Sequence, residues 1–274
     1  IKGIFFGGEM KEYHEERLLI ITKTYPTPSK SYRETVCVAA VNEQKELRRL
    51  YPIAYRFLKG EQKFKRWQWI RAKIARSSDR RPESYNLDND SIQLQEILTT
   101  KNDKGRKKRI ETIKNHIYPN FSTLEATRIE KGISFGIIKP HDFKLVINPA
   151  RKKEWDADQL IALRKDGLFD PIGNQKKPIV KKIPFDIYYE YQTDNDQNIY
   201  KHLITDWEIG ALFWNCQKRY KDDWELYFRK KLEDEFRKKD LHLLMGTMHV
   251  FQNQWLIIGL IYPPKEDQQL PLFE

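Results

Sequence analysis

The segment RLLIITKT, residues 17–24, places an unbroken apolar run at 18–21 between charged or polar neighbours. Three similar segments follow it: TVCVAAV at 35–41, LRRLYPI at 47–53 and WQWIRAKI at 67–74. Short runs rich in β-branched and aromatic residues, separated by turn residues such as PTPSK at 26–30, indicate β-strands. Several such strands in succession predict a small barrel or a strongly curved sheet in the first half of the chain.

The rest of the chain mixes helical and strand patterns. Capping boxes begin two helices, one at Ser122 with Glu125 and one at Thr205 with Glu208. The other predictions from periodicity are helices at 91–100, 107–116, 156–165 and 223–238, strands at 133–138, 143–147 and 183–192, and a hairpin from the apolar runs 241–251 and 255–262.

These patterns predict an α+β fold. Its N-terminal half is β-rich and barrel-like, and its C-terminal half is α+β, ending in a β-hairpin and a flexible tail. We expect a basic β-rich domain at 10–150, an α+β domain at 151–262 and a tail at 263–274. A polar, glycine- and proline-containing stretch at 170–182 is the best linker candidate.

The chain carries a large positive charge. Its 274 residues give a formal net charge of +11 and 39% hydrophobic residues, which is enough for a folded core. An excess of this size favours a polyanionic partner, either nucleic acid or an anionic membrane surface. The longest apolar run, 255–262, is strand-sized, so we expect nucleic acid and no membrane partner. A ribosome-associated or simply solubilised basic protein is the alternative.

The two cysteines, Cys37 and Cys216, lie far apart in sequence and in no CxxC spacing. This arrangement is typical of free thiols in a reducing compartment, so we expect a cytoplasmic protein.

A basic-aromatic segment at 63–81 is the strongest internal indication of nucleic-acid binding. Cations neutralise phosphates, and aromatic rings stack on exposed bases. The alternative is a solvated strand face whose tryptophans belong to the core. A second basic cluster follows at 104–109. The predicted nucleic-acid-binding residues are Lys63, Lys65, Arg66, Trp67, Trp69, Arg71, Lys73, Arg76, Arg80, Arg81, Arg106, Lys107, Lys108 and Arg109.

Three acidic residues are candidates for catalysis. Asp206 and Glu208 flank Trp207, and Glu190 lies on the preceding predicted strand. Carboxylates gathered at strand and helix ends hold Mg²⁺ for phosphodiester cleavage. Acids in the first turn of a helix, however, are expected simply because they complement its dipole. We therefore expect no cofactor, unless the protein is a nuclease that uses Mg²⁺.

The last residues resemble the pentapeptide by which bacterial proteins bind the replicative sliding clamp. Gln269, Leu270, Leu272 and Phe273 match that pattern, and Pro271 departs from it at its most permissive position. Apolar anchors of this kind enter a preformed groove on the partner. The alternative is a tail that folds back on the protein's own surface.

Four short blocks resemble a family of uncharacterised bacterial proteins found in genomic islands. They are TKTYP at 22–26, RLYP at 49–52, RPESY at 81–85 and TDWE at 205–208. The resemblance implies a role in mobile elements or phage defence and identifies no site residue.

These observations support three hypotheses. The first is a DNA-binding accessory protein of DNA metabolism or phage defence, recruited through a sliding-clamp-binding tail. The second is a metal-dependent nuclease or other DNA-processing enzyme with the same tail. The third is an RNA-binding regulator.

Overall fold

The computed structural model describes residues 12–100, 103–164 and 177–265, and all of their side chains except those of 103–106. The first half of this chain forms a barrel and two strands attached to it. These strands are β1 (His14–Lys23), β2 (Thr27–Ser29), β3 (Arg33–Asn42), β4 (Leu47–Ile53), β5 (Gln68–Arg76), β6 (Ser84–Leu87) and β7 (Gln93–Ile97).

Five of these strands close on one another. Their order is β1-β3-β4-β6-β5, and β5 pairs back onto β1, for example through Leu18 and Ile70. Four of the five pairings are antiparallel, and β4 lies parallel to β6. The strand β2 extends the edge of β3, and β7 pairs with the start of β5. The result is a five-stranded Greek-key barrel.

The remaining elements are α1 (Asp103–Ile113), β8 (Ile117–Tyr118), α2 (Phe121–Lys131), β9 (Phe135–Ile138), β10 (Pro140–Pro149), α3 (Ala157–Arg164), β11 (Phe185–Thr193), β12 (Tyr200–Leu203), α4 (Trp207–Tyr220), α5 (Trp224–Arg229), a π-helix (Lys230–Glu235), β13 (His242–Thr247) and β14 (Trp255–Ile261). They include a four-stranded sheet, β14-β13-β9-β8, and a three-stranded sheet, β10-β11-β12.

The apolar run at 18–21 is continuous because both faces of β1 are buried. Leu18 and Ile20 point into the barrel core, whereas Leu19 and Ile21 point outward. The outward pair packs in one cluster with Ile137 of β9 and with other residues of the four-stranded sheet. Because neither face of this part of β1 meets solvent, apolar and polar residues do not alternate along it. Part of the outer face of the barrel is thereby covered by the second half of the chain.

The two halves meet so closely at one point that only glycine fits. A Cβ atom on Gly259 of β14 would lie 2.8 Å from Cγ2 and 2.9 Å from Cβ of Thr22 on β1. The Thr22 hydroxyl also donates a 3.3 Å hydrogen bond to the carbonyl of Ile258.

The predicted α+β fold is confirmed, with its barrel in the first half and its hairpin, β13 and β14, near the end. The predicted helix at 91–100 is wrong, because Gln93–Ile97 is a strand that pairs antiparallel with β5. The cap of α2 is Asn120 instead of Ser122, since the Asn120 side chain accepts from the Thr123 amide at 2.8 Å.

The strands on either side of residue 150 belong to one sheet. β10 and β11 pair antiparallel from Pro140 with Thr193 to Pro149 with Phe185. The boundary predicted near residue 150 therefore falls between two paired strands. The clamp-like tail, Gln269 to Phe273, lies outside the described residues. In the described part of the chain, no helix combines the length and hydropathy that crossing a membrane requires.

We expect Gly259→Ala to lower the free energy of unfolding by about 1–3 kcal/mol, because Thr22 lies on a strand buried on both faces and cannot retreat. The matched control is Gly60→Ala, whose new Cβ meets nothing within 4 Å. The control is expected to be neutral or to stabilise by about 0.4–1 kcal/mol. Urea unfolding of both variants measures this, and equal stabilities would contradict the described packing between the halves.

Candidate functional site

Three arginines of the predicted nucleic-acid surface are internal. Arg66, whose side chain is 12% exposed, donates to Glu208 at 2.6 Å and to the Leu260 carbonyl at 2.5 Å. Arg81 is buried and donates to the Thr247 carbonyl at 2.7 Å. Arg109 is partly buried and donates to the Leu98 carbonyl at 2.8 Å. All three hold parts of the fold together.

The tryptophans of the same segment pack against the protein. Trp67 is buried among the residues that join the barrel to the four-stranded sheet, and the Arg109 guanidinium lies 5.0 Å from its ring centroid. Trp69 is half-buried beneath Arg17, at 4.4 Å. Trp67 therefore has the core position that the alternative interpretation predicted.

The other basic residues of the predicted nucleic-acid surface are mostly exposed but are spread over several places. Lys63 is half-buried, and the side chain of Arg106 lies outside the described set. Arg71 pairs with Glu15 at 3.0 Å on the outer face of the barrel. The exposed residues are Lys65, Arg71, Lys73, Arg76, Arg80, Lys107 and Lys108.

The acidic candidates have structural partners. Asp206 is buried and caps α4, where its carboxylate accepts from the Glu208 amide at 2.7 Å and from the Leu260 amide at 3.0 Å. Burial raises the pKa of Asp206, and the nearby Arg66 charge opposes that rise. Glu190 pairs instead with Lys144 at 2.5 Å, on the sheet formed by β10 and β11.

Among the described residues, no three His, Cys, Asp or Glu side chains come together in a way that could hold a metal ion. The structure supports a helix-cap role for Asp206. The sequence pattern predicts the cap one residue earlier, at Thr205, and places Asp206 in the first helical turn as a complement to the helix dipole.

A cleft at one end of the barrel combines aromatic and cationic side chains, and we call it the barrel-end cleft. Its volume is about 490 Å³, within the usual range of ligand-binding sites. It lies between the barrel end where β1 finishes and the face of α4. Its lining residues are Lys23, Tyr55, Phe64, Lys65, Arg66, Trp207, Glu208, Ile209, Ala211, Leu212, Asn215, Lys231, Phe236 and Tyr262.

Lys23 lies against two aromatic rings of this cleft. Its ammonium is 4.6 Å from the ring centroid of Tyr55 and 5.1 Å from that of Trp207. Desolvation by burial lowers the pKa of Lys23, and the nearby carboxylates of Glu208 and Asp206 oppose that effect. The cation–π contacts also favour the charged amine. The cleft thus holds a cation between aromatic faces.

The aromatic rings of the cleft are held in fixed orientations. The Tyr55 and Trp207 rings meet edge to face, with centroids 5.5 Å apart, and the Tyr55 hydroxyl donates to the Phe64 carbonyl at 2.6 Å. Tyr262 stacks on Phe236 with a centroid separation of 4.3 Å. Fixed rings can accept a planar ligand without first being ordered.

A second cavity of about 450 Å³ lies beside the barrel-end cleft. Both are lined by Arg66 and Glu208, so this ion pair separates them. Arg109 also lines the second cavity, and burial followed by repulsion from Arg66 lowers its pKa to about 10. The buried Nε of Arg66 has no hydrogen-bond partner among the described residues. The wall between the two cavities therefore consists of an arginine–glutamate ion pair, with Arg109 as a further cation in the second cavity.

Patterns in the sequence do not identify most residues that line this cleft. Tyr55, Lys231, Phe236 and Tyr262 come from distant parts of the chain, and their spacing gives no local pattern. The usable indications were the blocks TKTYP and TDWE, which contain Lys23 and Trp207.

Two family models cover nearly the whole chain. Domain of unknown function DUF8758 matches residues 14–115, and domain of unknown function DUF8757 matches residues 121–274, more than half of the protein. The chain belongs to the DUF8757 family. The boundary predicted near residue 150 falls inside the DUF8757 match. No curated protein matches this chain.

The strands β1 to β7 and α1 fall in the DUF8758 segment, β8 lies between the two matches, and the elements from α2 to β14 fall in the DUF8757 segment. Each segment contributes to the barrel-end cleft. Lys23, Tyr55 and Lys65 come from the first, whereas Trp207 and Phe236 come from the DUF8757 segment.

His202, which precedes Asp206 and Glu208 in sequence, packs elsewhere in an aromatic cluster. Its ring centroid lies 4.8 Å from that of Phe121, and a 2.9 Å hydrogen bond joins its Nδ1 to the Tyr191 hydroxyl. Burial lowers the pKa of His202 to about 4. The folded protein therefore holds this imidazole neutral at pH values where the unfolded chain protonates it.

We expect His202 to make the fold less stable in mild acid. The unfolded state takes up a proton near pH 6.5 and the folded state only near pH 4, so stability is complete above this window and falls through it as pH drops. The free energy of unfolding falls by about 3 kcal/mol across this window. His202→Gln keeps an acceptor oxygen without titrating, so urea midpoints between pH 7 and 4 should fall less steeply in the variant. Parallel pH profiles of wild type and His202→Gln would show that His202 is not the source of the acid sensitivity.

Proposed function

We propose that this protein is a DNA-binding accessory protein of DNA metabolism or phage defence, and that DNA occupies the barrel-end cleft. The observation that carries the proposal is the meeting of fixed aromatic rings with Lys23, Lys65 and Lys231 in one cleft. Aromatic faces stack on bases irrespective of sequence, while lysines contact the phosphates between them. The net charge of +11 supports the same partner.

The barrel supports this proposal only by analogy. Five-stranded Greek-key barrels of the OB type bind oligonucleotides on the face of their second and third strands. Here those strands are β3 and β4, and their outward residues, including Ala39, Val41 and Arg49, are buried against the second half of the chain. The proposed ligand therefore binds at the barrel end.

The C-terminal tail is the segment that would recruit the protein to DNA. Gln269, Leu270, Leu272 and Phe273 would enter the peptide groove of a bacterial sliding clamp in the cytoplasm. Tethering to a clamp on DNA raises the effective concentration of a weak DNA binder at that DNA. The resemblance to genomic-island proteins supports a setting in mobile elements or phage defence.

The nuclease hypothesis has less support, because Asp206 is already engaged by two backbone amides. RNA remains an arm of the test, since stacking and phosphate contacts do not by themselves select the sugar.

We expect Lys65→Glu to weaken binding of labelled single-stranded DNA by about tenfold at moderate salt, and Lys23→Gln to weaken it several-fold. Each lost phosphate contact should also reduce the salt slope by about 1. The control is Lys30→Glu, which changes another exposed lysine, in the loop between β2 and β3. Fluorescence anisotropy across a salt series, with DNA and RNA of matched sequence, measures all three. Equal effects of Lys65→Glu and Lys30→Glu would contradict the proposal that DNA binds in the barrel-end cleft.

The same samples, incubated with Mg²⁺ and separated on a denaturing gel, distinguish binding from cleavage. The proposal predicts intact DNA. Cleavage that disappears in Asp206→Asn, with the fold retained, would instead favour the nuclease hypothesis.

We expect a double change, Leu272→Ala with Phe273→Ala, to abolish capture of this protein by an immobilised bacterial sliding clamp, because two of the three apolar anchors are lost. DNA affinity without the clamp should stay within twofold of wild type. Gln268→Ala, one residue before the motif, is the control and should leave capture unchanged. Capture that survives the double change would remove the tail from the proposal.

A further inference from the structure

The turn between β13 and β14 exposes two apolar side chains at its tip. Val250 is 76% exposed and Phe251 54% exposed. Single exposed apolar residues are ordinary, but two adjacent ones at the end of a projecting hairpin form a compact apolar point. The barrel-end cleft does not include them.

The hairpin that carries this tip is held in place at its base. The turn is closed by hydrogen bonds from the Met248 amide to the Gln254 carbonyl at 3.0 Å and from the Gln254 amide to the Phe251 carbonyl at 2.9 Å. Below it, the Thr247 amide donates to the Ser134 carbonyl at 2.9 Å. The tip is therefore presented on a supported strand pair.

A basic loop of the barrel lies beside the hairpin. Arg81 in this loop donates to the Thr247 carbonyl at 2.7 Å, and Asp79 lies 3.2 Å from His249 Nδ1. Asp79 is occupied by Arg81, its ion-pair partner. The neighbouring Arg80, together with Arg76 at the end of β5, is exposed. Arg76 also donates to the Pro82 carbonyl of this loop. The loop that contacts the hairpin at Thr247 and His249 therefore carries exposed cations.

We propose that Val250 and Phe251 form a wedge that enters the base stack of duplex DNA, while Arg76 and Arg80 hold the adjacent phosphates. Apolar side chains that enter a base step unstack and kink the duplex, and flanking cations supply the backbone contacts. A protein partner would find the same apolar tip but would have to match its exposed arginines. This inference rests on the proposed DNA-binding function and adds a duplex site to it.

The two sites lie at opposite ends of one strand. Lys65 of the cleft precedes β5, and Arg76 ends it. At about 3.4 Å per residue, β5 spans roughly 27 Å. That distance corresponds to about eight nucleotide steps. The arrangement therefore suits DNA in which a duplex at the wedge continues into an unpaired strand at the cleft.

The test uses forked DNA with 2-aminopurine at a paired position near the fork, because the fluorescence of this base rises when it unstacks. Saturating wild-type protein should raise the fluorescence several-fold. Val250→Ser combined with Phe251→Ser should abolish the rise while changing Kd by less than about threefold, because the arginines and the cleft still bind. Circular dichroism verifies the fold of the variant.

The matched control is Ile129→Ser combined with Leu226→Ser, which removes two apolar residues that are 70% and 66% exposed elsewhere. It should keep the full fluorescence rise. The wedge is overturned if the fluorescence rise survives the change at the tip. It is also overturned if wild type binds DNA without any fluorescence rise. Either result leaves the proposed DNA-binding function standing. Complete loss of binding in a folded tip variant also overturns it, since the tip would then be the main contact. If wild type binds no DNA even at low salt, the proposed function fails as well.

Discussion

The structure depends on one contact, the packing of the outer face of the barrel against the four-stranded sheet. Leu19 and Ile21 on β1 are as fully buried as Leu18, although they point away from the barrel core. A strand buried on both faces cannot alternate apolar with polar residues, which explains the run at 18–21. Burial of this apolar surface is the main force that joins the two family-defined segments of the chain.

The same contact buries polar groups, and each of these needs a partner. Arg49 lies in the interface, 3.8 Å from the ring centroid of Phe135, and donates to the carbonyl and hydroxyl oxygens of Ser134. Glu83 accepts from the amide and hydroxyl of Ser134. This network fixes how the halves meet, and with them the positions of the cleft and of the hairpin. The outward residues of β3 and β4 are covered by this contact, whereas the barrel-end cleft stays open.

The sequence predicts much of the fold because the barrel strands follow local rules. Short apolar runs between turn residues mark β1, β3, β4 and β5, and a strongly apolar pair of runs marks the final hairpin. Prediction fails where tertiary pairing decides, as at 91–100, where Leu94 and its neighbours pair with β5. The candidate site was harder to predict. Charge alone could not show that Arg66 and Arg81 are internal, and the cleft combines side chains from segments almost 240 residues apart, from Lys23 to Tyr262.

The central claim is that nucleic acid lies in the cleft between the barrel end and α4. Ultraviolet crosslinking of wild-type protein to an oligonucleotide containing 5-bromodeoxyuridine, followed by mass spectrometry of the peptides, tests it most directly. The account predicts crosslinks on the rings of Tyr55, Trp207 and Tyr262, which lie within reach of a base in the cleft. Crosslinks confined to the outer sheet of β10, β11 and β12, or to residues on the far side of the barrel, would contradict it.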